Sequence, residues 1–61
     1  MTDIAEKTLA KMYSEYSETG VNDWKSIDTP AGKQLASMGL VTENILGEFK
    51  LTDAGISYME N

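Results

Sequence analysis

The chain contains no histidine and no cysteine. That removes the imidazole base and the thiolate nucleophile on which Ser–His and Cys–His catalysis depend. It also removes the usual zinc ligands, leaving carboxylates alone. The acidic residues do not follow the spacing of an EF-hand loop. The glycines are scattered, so no phosphate-cradling loop is formed. Glu15 and Glu18 are close enough for general acid–base work, but they read as the solvated face of a helix. No catalytic residue, metal ligand or cofactor is expected.

The side chains left with chemical potential are those that bind. Five lysines stand against ten carboxylates, there is no arginine, and the net charge is −5. The residue best suited to bidentate phosphate or guanine contacts is therefore missing. The overall charge opposes nonspecific attraction to nucleic acid or to an anionic membrane. Its distribution is uneven. Residues 1–20 carry four carboxylates against two lysines, residues 21–39 two against two, and residues 40–61 four against one.

The neutral middle third holds most of the candidates for contact with double-stranded DNA. Lys33, Gln34 and Ser37 fall on the outward side of a helix over 30–38, where they would reach base edges or phosphates. Thr29 stands at that helix start, where free backbone N–H groups hold phosphate well. Lys25 and, on the hairpin side, Asn44 and Lys50 complete the set. With three lysines the counterion-release slope against log salt would be only about −3, so useful affinity would need a dimer or a tether. The bland alternative is equally open: a short exposed helix needs polar residues, and Lys, Gln and Ser are ordinary choices.

A chain of 61 residues has room for one domain, residues 1–61. So small a core leaves a stability margin on the order of 3–5 kcal/mol. Asp3 followed by Glu6 resembles a capping box. Ile4, Leu9, Met12, Tyr13 and Tyr16 then form an apolar stripe on a helix over about 3–18, which Gly20 ends. Residues 22–27 are expected as a brief helix capped by Asn22, with a strand or irregular turn as the alternative. Thr29 caps the next helix with Pro30 in its first turn, and Ala31, Leu35 and Met38 make its inward stripe. From Leu40 the period changes to that of strands. Asn44 and Gly47 mark the turn of a hairpin over about 40–51. Thr52 caps a last helix over about 53–60, with Ile56 and Met59 inward. The fold class is mostly α with a small β-hairpin, an α+β domain.

The stretch from Leu35 through Gly39-Leu40-Val41, a short loop, and then Phe49-Lys50-Leu51-Thr52-Asp53-Ala54-Gly55 resembles winged helix-turn-helix proteins, particularly MarR-like and related bacterial regulators. The resemblance covers about residues 29–58. It implies a single winged-helix domain in the order helix, short helix, helix, hairpin wing, helix. It implies 30–38 as the recognition helix, 43–47 as the wing, and a DNA-binding transcription regulator. The chain departs from that pattern in having no arginine at the wing tip and no long flanking helices for dimerisation.

Three apolar features bear on a protein partner instead. Trp24 is expected to anchor the core of residues 22–27, and to become a protein-contact residue if it is exposed. Tyr13 and Tyr16 are expected in the core rather than as a base-stacking platform. Ile45 and Leu46 either fold under the hairpin or offer a small apolar contact to a partner protein or to a second copy in a weak homodimer. The alternative to DNA binding is thus an acidic winged-helix interaction module, of the type phages and accessory elements carry, that binds a host protein. No apolar run approaches the roughly 20 residues of a membrane span, and residues 1–4 lack the features of a signal peptide. A cytoplasmic protein without membrane contact is expected.

Overall fold

The computed structural model describes residues 2–61. Its first element is α1, Asp3–Thr19. Thr2, not Asp3, caps it: the Thr2 hydroxyl accepts from the Ala5 N–H at 3.2 Å. Asp3 and Glu6 fall in the first turn, where negative charge suits the helix dipole. Ala5, Leu9 and Met12 are buried, and Tyr13 and Tyr16 pack half-buried against them. Ile4 does not join the stripe and is 63 % exposed. It stands five residues before Leu9, about 140° round a 3.6-residue helix, whereas Ala5 lies within about 40°. Gly20, in the left-handed conformation, ends the helix by donating to the Tyr16 carbonyl at 2.8 Å.

Residues 22–27 are not helical; the chain is extended where Lys25 bridges to Phe49 and carries no regular structure on either side of it. A single turn or so of helix is poorly stable alone, and the free edge of the hairpin offers better hydrogen bonds. Lys25 exchanges both backbone bonds with Phe49, at 2.7 and 2.8 Å. The Asn22 side chain imitates a strand residue: its Nδ2 donates to the Leu51 carbonyl at 2.8 Å and its Oδ1 accepts the Leu51 N–H at 3.3 Å. The order is therefore helix, extended segment, helix, hairpin, helix. One helix rather than two precedes the hairpin after α1.

The second helix, α2, is Thr29–Ser37. Its N-cap is Asp28 rather than Thr29; the Asp28 carboxylate accepts from the Ala31 N–H at 3.2 Å. Ala31, Gly32 and Leu35 face the core. Met38, expected inward, is 47 % exposed, because the helix has already ended and the chain turns away there. Gly39 donates to Ala36 and Leu40 to Leu35, both at 3.0 Å, which is the paired bonding of a Schellman ending. That ending needs the positive φ of 77° that Gly39 supplies.

The strands β1, Val41–Glu43, and β2, Phe49–Leu51, pair antiparallel with Val41 opposite Leu51. Their inward residues complete a core of Ala5, Leu9, Met12, Ala31, Leu35, Leu40, Val41, Phe49 and Leu51. The last helix, α3, is Asp53–Glu60, with Ile56 and Met59 packed against that core. Thr52 joins two elements at its start. Its hydroxyl accepts from the Gly55 N–H at 3.0 Å and donates to the Gly39 carbonyl at 2.6 Å. A Cβ on Gly55 would drive into the Leu40 carbonyl. The Leu-Thr-x-x-Gly pattern is thus a joint between the end of α2 and the start of α3.

Two expectations follow. Alanine within a helix normally gains about 1 kcal/mol over glycine. Gly55→Ala is instead expected to lose about 2–3 kcal/mol through overpacking against backbone, as measured by urea unfolding, while Ser57→Ala on the exposed side of α3 shifts stability by under about 0.5 kcal/mol. The second concerns Tyr13, whose hydroxyl donates to Glu60 at 3.1 Å and ties α1 to α3. Partial burial, then the Glu60 carboxylate and Tyr16, hold its phenol above the ordinary 10.0. Its contribution is complete below pH 10 and declines as pH rises from there through the higher folded value. Tyr13→Phe should flatten the alkaline fall in melting temperature; an unchanged fall would contradict this assignment.

Candidate functional site

Each polar candidate can be placed by the element that carries it. Thr29, Lys33 and Ser37 line the exposed side of α2 at four-residue intervals. Lys33 does not stand free there: its Nζ lies 2.7 Å from Glu43 Oε1 on β1. An exposed pair of this kind contributes only about 0.2–1 kcal/mol to stability. It nevertheless puts a carboxylate where a phosphate would have to sit. Ser37 donates its hydroxyl to the Gln34 carbonyl at 2.7 Å. Gln34 is partly buried, and its Oε1 accepts from both the N–H and the hydroxyl of Thr2, each at 3.0 Å. At the start of α2 the Asp28 carboxylate already occupies the position in which backbone N–H groups would hold an anion.

The remaining lysines are directed elsewhere. Lys25 forms its bridge with Phe49 and extends toward α1, where Nζ is 3.9 Å from Glu15. Lys50 is its neighbour across the sheet, but successive residues of a strand face opposite ways. Lys50 therefore lies on the outer surface, 4.8 Å from the centre of the Trp24 ring. That cation–π contact accounts for Trp24. The residue is half-buried beneath a lysine and is not part of the core, because the Lys25–Phe49 bridge turns the preceding side chain outward. Lys25, Lys33 and Lys50 thus belong to three separate local contacts and do not form one basic patch.

The hairpin tip is built differently. Asn44 organises it: its Oδ1 accepts from the N–H groups of Leu46 at 2.9 Å and Glu48 at 3.0 Å, and its Nδ2 donates to Glu48 Oε1 at 3.1 Å. The Asn44 N–H also donates to the Glu48 carbonyl at 2.9 Å. With its amide so employed, Asn44 is a brace. What it braces is Ile45, fully exposed, and Leu46, 77 % exposed. Of the two arrangements open from sequence, the aliphatic pair takes the outward one.

Sequence pattern missed Asn22 as a strand substitute and Gly32 as the seat of the Phe49 ring, 2.6 Å from where a Cβ would stand. Periodicity carries no signal for either. Among the described residues no helix is long and apolar enough to cross a membrane. No protein-family model matches the chain, and neither a curated protein nor a solved structure does.

Asn44→Ala is expected to cost about 1–2 kcal/mol and to release the tip. Amide exchange of Leu46 and Glu48 should accelerate well beyond that of Phe49; equal slowing or equal speeding at all three sites would show that the brace is not local.

Proposed function

We propose that this chain is a non-enzymatic binding module of winged-helix type that engages a protein partner through the tip of its hairpin. The observation that carries this reading is the outward pair Ile45 and Leu46 on a turn fixed by Asn44. Two adjacent aliphatics held in water forgo about 1.5–3 kcal/mol each of burial free energy. A preorganised tip recovers that on entering an apolar socket without first being ordered. The net charge of −5 and the carboxylates beside Lys25 and Lys33 favour a protein over a polyanion.

Binding to duplex DNA is the second reading. It is favoured by the exposed row Thr29, Lys33 and Ser37 on α2, in the only third of the chain without net negative charge.

The two readings separate in one pair of experiments. Ile45→Ser with Leu46→Ser should leave urea unfolding within about 0.5 kcal/mol of the parent and abolish retention of a protein partner from source-cell extract. In a parallel titration of the isotope-labelled chain with a short duplex at low salt, the tip reading expects no localised shifts. Shifts confined to residues 29–37 that fade as salt rises, with partner retention unaffected by the tip variant, would replace it with the DNA reading.

A further inference from the structure

The hairpin tip carries a fixed charge as well as two aliphatics. Glu48 is fastened to the residue that braces them. Its N–H donates to Asn44 Oδ1 at 3.0 Å, its carbonyl accepts the Asn44 N–H at 2.9 Å, and its Oε1 accepts from Asn44 Nδ2 at 3.1 Å. The Leu46 N–H ends on the same Oδ1, at 2.9 Å. The Glu48 carboxylate is therefore held, half-buried, next to the outward apolar pair.

Asn44 satisfies one oxygen of that carboxylate with a neutral donor. The other, Oε2, has no hydrogen-bond or ion-pair partner among the described residues. The lysines nearest to it are engaged elsewhere. Lys33 pairs with Glu43 at 2.7 Å, and Lys50, two residues along the strand, has its Nζ 4.8 Å from the centre of the Trp24 ring. Residues 43–48 hold two carboxylates and no lysine.

This charge selects among occupants. In the free chain bulk water solvates Oε2. A socket that closes over Leu46 strips water from the carboxylate beside it, and a desolvated carboxylate without a cation is costly. A second copy of this chain supplies the wrong sign. Its apolar hollow of about 300 Å³, with Ile4, Pro30 and Ala31 in its walls, includes the Asp28 carboxylate, and each copy brings a net charge of −5. Duplex DNA offers phosphates in place of a cation. We propose that the tip docks into a different protein, whose apolar socket bears a lysine or arginine at its rim that pairs with Glu48 Oε2. This rests on the hairpin tip as the docking element and adds the charge of the surface it enters.

The test uses a displayed library on a two-helix scaffold with a leucine-lined groove, its rim positions randomised among Lys, Glu and Ser, panned on the full chain. Lysine at the rim should be enriched. Glu48→Gln keeps the acceptor for Asn44 Nδ2 and removes only the charge. It should weaken the enriched clone about tenfold, or roughly 1.4 kcal/mol, and flatten the salt dependence of binding. Amide exchange of Leu46 and Glu48 should stay as in the parent, which separates lost charge from a lost brace. Ile45→Ser with Leu46→Ser should abolish binding. Clones with no preference at the rim, or equal affinity for Glu48→Gln and the parent, would overturn the charge pairing and leave the tip reading intact. Clones that bind the doubly substituted tip as tightly as the parent, or no enriched clone at all, would remove both.

Discussion

The ring of Phe49 occupies the space in which a side chain on Gly32 would begin, and its backbone exchanges two hydrogen bonds with Lys25 while its strand pairs with Val41–Glu43. One residue thereby joins α2, the extended segment and both strands of the hairpin. The ring is fully buried with Leu9 and Leu35, so α1 closes over the same point. Removing a buried phenylalanine ring costs about 3–5 kcal/mol. That is comparable to the whole margin expected of a domain this small. The absence of a side chain at Gly32 is as much a part of the contact as the ring itself.

The rest of the molecule follows from holding the hairpin at that point. Residues 22–25 have little choice but to extend, because the exposed edge of β2 needs partners and Asn22 and Lys25 can provide them. Their extension sends Trp24 outward to Lys50 and Lys25 toward Glu15. Lys33 reaches Glu43 because α2 and β1 meet through the tight ending at Gly39. Polar side chains with the chemistry to bind an external polyanion are in this way occupied with internal contacts. The hairpin tip extends beyond all of these constraints, and its aliphatic pair has nothing within the domain to cover it.

What could be read from sequence was what local rules decide. Gly39, Leu40 and Val41 announce a helix ending in a strand. Phe49 and Leu51 alternate around Lys50, and Thr52 followed by Gly55 marks a helix start. All of these depend on neighbours within a few residues. Three physical causes lie outside what such rules decide. Where two adjacent residues were equally able to cap, as with Thr2 and Asp3 or Asp28 and Thr29, propensity could not choose between them. Where a partner was distant in sequence, pattern was silent: Asn22 bonds to Leu51, 29 positions on, and a helix looked as reasonable as a strand. Apolarity favours Ile4 over Ala5 for the inward stripe, whereas the helix phase favours the smaller residue. The candidate lysines were identifiable by type, but their pairing with Glu15 and Glu43 depends on tertiary placement that no local signal encodes.

The central claim is that Phe49 and its bridge to Lys25 form the joint on which the domain closes. Native-state amide hydrogen exchange tests this most directly. The N–H groups of Phe49 and Lys25, bonded at 2.8 and 2.7 Å, should exchange only through global unfolding, as slowly as the inner amides of α1 at Leu9 and Met12. If Lys25 and Phe49 instead exchange at the rate of the hairpin loop while α1 remains protected, the joint is not what holds the fold together.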